Sequence, residues 1–183
     1  LYIMSFLVDC ATLPAHIEQA CNAYKKGGFP SFAVVDKDSP IVGDWSNSSL
    51  WLSQIALGKI SVANRVKMNI PDPSPQKQDN PVACGSQQIL DGFDWKVEGM
   101  DGNVSTLNDS YYTTLNKKDA YLVLWNKEES EILVIDKPVT FTCFKFAPPS
   151  NREIQMYKIE GEFSSDKDWF YTNYTQPTGV FTL

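Results

Sequence analysis

Apolar and polar residues alternate in several short stretches of the chain, with the period of two that is typical of β-strands. Successive side chains of a strand point to opposite faces, so this alternation predicts one packed face and one solvated face. The apolar positions of the two clearest stretches are Phe93, Trp95 and Val97, and Val139, Phe141 and Cys143. Both stretches are therefore predicted to be half-buried strands.

Two other stretches are apolar at every position. Residues 121–125 have the sequence YLVLW and residues 132–135 the sequence ILVI, and a polar segment at 126–130 joins them. A short continuous apolar run is typical of a strand that is buried on both faces, and a short polar connection is typical of a hairpin. The pattern predicts a buried β-hairpin.

The pattern changes parity between Ile154 and Phe163. Ile154 and Met156 fall on one side of an extended chain, whereas Tyr157, Ile159 and Phe163 fall on the other. A shift of one residue would otherwise turn every following side chain to the wrong face. The sequence therefore predicts a β-bulge, or a break between two shorter strands, between Met156 and Tyr157.

Two segments have the period of a short helix. The first, residues 48–57, ends before Gly58, which can stop a helix. The second begins at Thr106, which is predicted to cap the helix together with Asp109 three residues later. Each helix is expected to cover an open face of the sheet. The predicted apolar positions are Trp51, Leu52, Ile55 and Ala56 in the first helix and Leu107, Tyr111 and Leu115 in the second.

A proline-rich segment runs from Ile70 to Pro81 and contains four prolines. Proline removes backbone donors and favours extended, polyproline-like chain, so this segment is predicted to be a long arm or loop. A linker between two domains is the alternative, but about 70 residues on its N-terminal side would make a marginal domain. We expect one domain over residues 1–183, from which the arm projects to bind a neighbour.

The predicted fold class is mostly β. The strands are expected to form an antiparallel β-sandwich or partly closed barrel, with one or two short helices and the long proline-rich arm. The chain has 183 residues, of which 43% are hydrophobic and 21% charged, a composition that excludes a disordered tail or a coiled coil. A packed core is expected.

The charge of the chain argues against nucleic-acid recognition. The net charge is −6, and the sixteen basic residues, among them only the arginines Arg65 and Arg152, form no cluster. Binding to phosphates needs clustered Lys and Arg, so sequence-specific nucleic-acid binding is not expected, although DNA could pass an acidic surface without adhering to it. No apolar run approaches the roughly 20 residues that cross a bilayer, so membrane insertion is not expected.

No catalytic, cofactor or metal residues are predicted, and the chain is interpreted as not an enzyme. The single histidine, His16, could serve as a base only for Cys10 or Cys21, and it leaves no second imidazole for a metal site. Asp94 and Glu98 share a strand face, but alternation places that face in solvent. The four cysteines have no metal spacing, and three disulfide pairings stay open for Cys10, Cys21, Cys84 and Cys143.

Four N-x-S/T sequons leave open a secreted protein. They matter only in a eukaryotic secretory pathway, where they would favour a β-sandwich or lipocalin-like ligand-binding glycoprotein. Trp45, in a Gly-Asp-Trp sequence, fits that alternative. The apolar start of the chain is a poor signal peptide, and Met4 is a candidate natural start with Leu1 to Ile3 as a remnant. The sequons are at Asn47, Asn103, Asn108 and Asn173.

Several landmarks follow one another in an order that resembles small virion structural proteins of tailed bacteriophages of gut Bacteroidota, most closely their tail tube proteins. The resemblance spans most of the chain and is one of order, without a diagnostic motif. The landmarks are Cys10, residues 51–60, the prolines at 71–75, Cys84 with Gly85, residues 111–117 before Tyr121, residues 137–140 and residues 176–181.

The resemblance implies a structural protein of the phage tail. Such tube proteins are β-sandwiches with a flanking helix and a long loop, and they form hexameric rings that stack around a lumen. The implied partners are other copies of this chain and other virion proteins, and the implied location is the virion. A capsid-decorating or neck protein is the alternative within the same class. We expect the Ile70 to Pro81 arm and the aromatic segment at 169–181 to contact neighbouring subunits.

Overall fold

The computed structural model describes residues 28–82, 85–127, 130–146, 155–166 and 171–181, which form nine strands and two helices. The strands are β1 Phe29–Asp36, β2 Ile60–Asn69, β3 Ser74–Val82, β4 Gly85–Asp101, β5 Asp119–Asn126, β6 Glu131–Ile135, β7 Val139–Phe146, β8 Met156–Ser165 and β9 Tyr171–Thr175. The helices are α1 Ser48–Ala56 and α2 Thr106–Leu115. The predictions about Leu1 to Ile3, Cys10, His16, Cys21, Cys84 and Arg152 fall outside the described residues.

Six strands close into a ring in the order β1, β2, β4, β8, β7 and β5, with β5 pairing again with β1. All pairings in the ring are antiparallel. The joint between β5 and β7 is short, since it consists of Asp119 opposite Thr140 and Ala120 opposite Val139. Farther along β5 the sheet branches, because β6 pairs there and β9 pairs with β6. This mostly β, partly closed architecture confirms the predicted fold class.

The inside of the ring is filled with large apolar side chains, which we call the inner core. Each ring strand contributes a side chain that is fully buried, because alternation directs every second residue inward. One example from each strand in ring order is Phe32, Met68, Val97, Ile159, Phe141 and Leu122. The side chains of the inner core therefore fill the interior of the ring, which is a packed core and not a pore.

A second apolar cluster, the outer core, lies on the outside of β1, β5 and β6. Trp51 of α1 is fully buried there, and its indole N–H donates to the carbonyl of Trp45 at 2.7 Å. Because β5 carries the inner core on one face and the outer core on the other, nearly every position in it is buried. This explains its continuous apolar run, and the predicted β5–β6 hairpin is confirmed.

Helix α1 lies where predicted, but its apolar side chains do not all pack. Asn47 caps the helix by accepting from the backbone N–H groups of Ser49 and Leu50. Trp51 is buried, whereas Leu52 is 52% exposed and Ala56 is also exposed. The prediction that Leu52 and Ala56 pack was wrong, because one narrow side of the helix contacts the sheet.

The N-cap of helix α2 lies one residue earlier than predicted. Ser105, and not Thr106, is the N-cap, and its hydroxyl accepts from the backbone N–H of Asn108 at 3.2 Å. Leu107 is 82% exposed, while Tyr112 and Leu115 reach the inner core. The prediction that Leu107 packs was therefore wrong, because the side of α2 that faces the sheet carries Tyr112 and Leu115.

The segment from Ile70 to Pro81 is not an irregular loop. Ser74–Val82 is strand β3, which pairs antiparallel with β4 from Gly85 to Asp94. Among the described residues β3 has no strand on its other side, and proline is tolerated in such edge strands because one row of donors has no partner. The prediction of an extended arm is corrected to a β-hairpin.

Strand β8 is continuous and lacks the predicted bulge in its described part. Its pairings with β4 and β7 keep one register from Met156 to Ser165. Tyr157, Ile159 and Phe163 face the inner core, while Met156 lies on the opposite face and is half-buried. The parity change arises because Met156 is an apolar residue on the outer face; Ile154 lies outside the described residues.

Candidate functional site

The β3–β4 hairpin extends past the ring as a two-stranded ribbon, which we call the arm and define as β3 with residues 85–92 of β4. The later part of β4 pairs with β8, and the last pair at that joint is Phe93 with Ser165. Residues 85–92 pair only with β3 among the described residues. At about 3.4 Å per residue, these eight residues extend roughly 27 Å from the ring.

At the base of the arm, the register of β3 against β4 shifts beside Gly92. Gln76 pairs with Gly92 and Lys77 with Leu90, so β4 has an extra residue at this point. Gly92 has φ +154°, and a Cβ there would lie 2.9 Å from the carbonyl oxygen of Ser165. A shift of this kind bends a strand and increases its twist. Glycine lets β4 turn out of the ring while it stays close to β8.

A carboxylate joins the three strands that meet at the base of the arm. Asp94 of β4 accepts from the side-chain amide of Gln76 in β3 at 2.5 Å and from the hydroxyl of Ser164 in β8 at 2.7 Å. Its side chain is exposed, as the predicted solvated strand face requires. These hydrogen bonds hold the arm in one direction relative to the ring and give Asp94 a structural role.

The arm and β9 expose backbone edges. In the described residues β3 pairs only with β4, and β9 pairs only with β6. An unpaired edge presents a row of N–H and C=O groups to which another strand can add. The fold therefore carries two backbone surfaces that are able to pair with a second chain.

Buried polar groups attach α2 to the ring. Asp101, at the end of β4, accepts from the backbone N–H of Asn103 at 2.7 Å and from the hydroxyl of Tyr112 at 2.8 Å. Burial, and then the hydrogen bond to Asp101, raises the pKa of Tyr112. Asp101 lies on the inner face of β4, whereas Asp94 and Glu98 lie on the outer face, so these carboxylates are not brought together.

A carboxylate of α2 itself is also bound by two donors. Asp109 accepts from the hydroxyl of Tyr157 and from Lys145 Nζ at 3.2 Å. These bonds, that of Tyr157 first, lower the pKa of Asp109. An ionised carboxylate that is held in this way is an acceptor that positions the helix, and at neutral pH it has no proton to donate.

A polar cleft of about 570 Å³ lies between the β1–β2 end of the ring and α2. Lys59 Nζ lies 3.0 Å from Asp36 Oδ2, and Lys37 Nζ lies 3.9 Å from Asp119 Oδ2. The backbone N–H of Asp38, and then Lys59, lower the pKa of Asp36. Seven of the residues that line the cleft are charged, four of them in these two pairs, so the cleft does not offer the apolar enclosure that a lipocalin-like carrier needs.

Cys143 is a free, buried thiol in the inner core. Burial raises its pKa to about 12, so the thiol stays protonated and is a poor nucleophile. Among the described residues no group of three or more His, Cys, Asp or Glu side chains could hold a metal ion. None of the helices in this part of the chain is long and apolar enough to span a membrane.

The sequon asparagines have different structural roles. Asn47 caps α1, and Asn108 donates its side-chain amide to the carbonyl of Asn103 at 2.6 Å. Asn173 is exposed on β9 and donates to Glu131 at 3.3 Å. Trp45, which fitted the lipocalin alternative, packs edge-on against Trp51 with ring centroids 6.1 Å apart.

The C-terminal aromatic segment packs within the molecule where the structure describes it. Phe181 stacks on Trp125 with ring centroids 5.7 Å apart, and it contacts Trp51 edge-on at 5.5 Å. The backbone N–H of Thr178 donates to the hydroxyl of Ser48 at 2.7 Å. Phe181 is therefore part of the outer core and is not an anchor for a neighbour; Trp169 lies outside the described residues.

No protein-family model matches this chain, and no curated protein matches it at a significant level. The surfaces that distinguish the molecule are the arm and the open sheet edges. The polar clusters, in contrast, have structural partners within the fold.

Proposed function

We propose that this chain is a non-enzymatic structural subunit of a phage virion, and that it acts as a tail tube subunit that assembles into stacked rings. The observation that carries the proposal is the arm, a two-stranded ribbon that leaves a well-packed ring of strands. A projection of roughly 27 Å contributes little to the core of its own subunit. It is suited to contact a neighbour.

Backbone pairing is the mechanism by which the arm joins subunits. The open edges of β3 and β9 offer donors and acceptors that a neighbouring strand can pair with. Because the arm is already a β-ribbon whose base is fixed by Asp94, little conformational entropy is lost when it docks. Preorganisation of this kind favours rings and stacks at low subunit concentration.

Conduction of DNA is the second part of the proposed role. The chain carries a net charge of −6, and the lumen of the proposed assembly would share this sign with DNA if it is lined by the acidic part of the surface. Like charges repel, and without clustered Lys or Arg there is no release of counterions to favour contact. DNA would pass along such a surface without being retained.

A capsid-decorating or neck protein would use the same arm, and it would form different particles. A secreted lipocalin-like carrier has less support, because large side chains such as Phe32 and Phe141 fill the ring. Particle shape therefore separates the alternatives. Stacked rings or tubes would favour the tail tube, whereas isolated rings or a monomer would favour the alternatives.

The test is electron microscopy of the purified protein over a range of concentrations, with mass measured in parallel. Stacked rings or tubes with an open lumen are expected. In a matched variant residues 77–91 are replaced by Asn-Gly, a two-residue hairpin turn that joins the paired residues Gln76 and Gly92. This armless variant should keep the circular dichroism spectrum of a folded β-protein, with less strand signal, and lose the tubes. A wild-type protein that stays monomeric at every concentration would contradict the proposed function.

A further inference from the structure

Strand β9 has an open edge whose row of hydrogen-bonding groups can be assigned. The backbone N–H of Gln176 donates to the carbonyl of Ser130 at 2.9 Å, in register with the pairs between β6 and β9, so it points toward β6. Successive N–H groups of a strand point to opposite edges. The N–H and C=O groups of Asn173 and Thr175 therefore point away from β6, where no strand in the described part of the chain pairs with them.

The open edge of β9 lacks the features that usually protect such an edge. Native proteins protect open edges with charged residues, with proline or with a bulge. The sequence of β9 is YTNYT, which contains neither a charge nor a proline, and its register against β6 is regular throughout. An edge of this kind is suited to pair with a strand of another chain.

Strand β3 has an open row of its own, and its prolines identify which residues belong to it. A proline fits an edge strand where its nitrogen faces away from the paired strand, so Pro75 and Pro81 place the odd-numbered residues on the open side. The pair of Val82 with Gly85 agrees, since the two residues that flank a two-residue hairpin connection are hydrogen-bonded to each other. The open row of β3 therefore consists of its odd-numbered residues.

The two open rows match in their hydrogen-bonding groups. Between its prolines, the row of β3 keeps the N–H groups of Lys77 and Asp79, and β9 offers those of Asn173 and Thr175. Antiparallel pairing, the arrangement of every described strand pair, can place Lys77 opposite Thr175 and Asp79 opposite Asn173. Each pair then exchanges both N–H···O=C bonds, which gives about four backbone hydrogen bonds.

This register also brings side chains of opposite charge together. Glu131 of β6 pairs with Thr175, so Glu131, Thr175 and Lys77 would form one row across three strands. Directly opposed residues point to the same face of a sheet. Lys77 is exposed and makes no ion pair with the other described residues. The charges therefore favour a second copy of this chain as the strand that pairs with β9.

We propose that β3 of one subunit pairs with β9 of the next, so that the arm continues the sheet of its neighbour. The inference rests on the proposed self-assembly and names the two edges that meet. Within one subunit the edges lie apart, because β3 extends from β4 and β9 from β5, which are three strands apart in either direction around the ring. Two different edges make a heterologous contact, which propagates around a ring or along a filament, whereas β9 paired with β9 would stop at a dimer.

One proline in each row tests the contact. Asn173→Pro and Lys77→Pro each remove an N–H that points away from the paired strand, so both variants should fold and keep a denaturation midpoint close to that of the wild type. Both should lose rings and tubes. Asn173→Ala and Lys77→Ala keep the N–H and are the matched controls. They should assemble at concentrations within about fivefold of the wild type, because exposed side chains and exposed charge pairs contribute little.

Mixing the two proline variants distinguishes this contact from other causes of lost assembly. The Asn173→Pro protein keeps the open row of β3, and the Lys77→Pro protein keeps the open row of β9. Tagged Asn173→Pro protein should therefore capture Lys77→Pro protein roughly tenfold or more tightly than either variant captures itself. Folded variants that show no mixed capture would overturn the contact.

The outcomes separate this inference from the proposed function. If the wild type forms tubes and either proline variant does so equally well, the β3–β9 contact is wrong and the tube role stands. Self-capture of the Lys77→Pro protein that is as tight as the mixed capture also overturns the contact, since β9 would then pair with β9. If the wild type forms a small closed oligomer that both proline variants lose, and the mixed capture is tight, the contact stands and the tube role fails.

Discussion

The carboxyl group of Asp101 is buried in the ring, with 6% of the residue exposed, and two donors surround it. A buried carboxylate is tolerated only when donors replace its hydration. The hydroxyl of Tyr112 is one of these donors, and it also fixes the middle of α2 against β4. The hydroxyl of Tyr112 therefore links the placement of α2 to the end of β4, the strand whose other end forms part of the arm.

The Tyr112→Phe substitution tests this link. It removes the hydroxyl and leaves Asp101 with one donor fewer, so the free energy of unfolding should fall by about 1.5 to 3 kcal/mol, the usual range for a hydrogen bond to a charged group. Chemical denaturation measures the change. Tyr174→Phe is the control, since the phenol of Tyr174 is half-exposed on β9. A loss below about 0.5 kcal/mol for Tyr112→Phe would contradict the role of this bond.

At the scale of elements, the arm depends on how β4 leaves the ring. The register shift at Gly92 separates the part of β4 that pairs with β8 from the part that pairs with β3 alone. A strand without this shift would continue in the plane of the sheet. The direction of the arm is therefore set at one backbone position.

The Gly92→Ala substitution should disturb that position. A Cβ would approach the carbonyl oxygen of Ser165 to 2.9 Å, and φ +154° is unfavourable for L-residues with a side chain. We expect a loss of about 1 to 3 kcal/mol in stability and a clear loss of tubes in micrographs, because the arm would be misdirected. Gly102→Ala, where a Cβ meets no atom within 4 Å, should change neither. Tubes of normal number from the Gly92→Ala protein would show that the direction of the arm is unimportant.

Elements with a regular pattern could be predicted from the sequence, and those with an interruption could not. The β5–β6 hairpin was evident because both of its strands are buried at nearly every position and are continuous apolar runs. β7 was evident because its burial alternates with the strand period. Strand β2 was not predicted, since its register against β1 shifts near Arg65, which has φ 61°, and this breaks the alternation. β1 was also missed, and β9 is an exposed edge strand with no apolar face.

The exposed surfaces of the molecule were only partly visible in the sequence. The prolines marked the arm correctly, but they hid its strand character, because an edge strand accepts proline on its open side. Leu52 was predicted to pack inside, since helical spacing cannot say how wide a side of α1 contacts the sheet.

At the scale of the whole molecule, the net charge opposes the proposed assembly. Every subunit carries −6, so approaching subunits repel one another over the Debye length. That length is about 30 Å at 0.01 M salt, comparable to the reach of the arm, and about 8 Å at 0.15 M. An exposed ion pair between subunits would contribute only about 0 to 1 kcal/mol. Repulsion should therefore dominate the dependence on salt.

We expect the lowest protein concentration that gives tubes to fall as salt rises from about 0.01 M to about 0.15 M, because screening removes the repulsion and leaves the apolar and backbone contacts intact. Light scattering over a concentration series at each salt measures this threshold, and the armless variant supplies the baseline without tubes. A threshold that rises with salt would mean that ion pairs between subunits hold the assembly. In that case backbone pairing through the arm would be secondary, and the acidic residues would have to be concentrated away from the contacts, where they would face the lumen or the solvent.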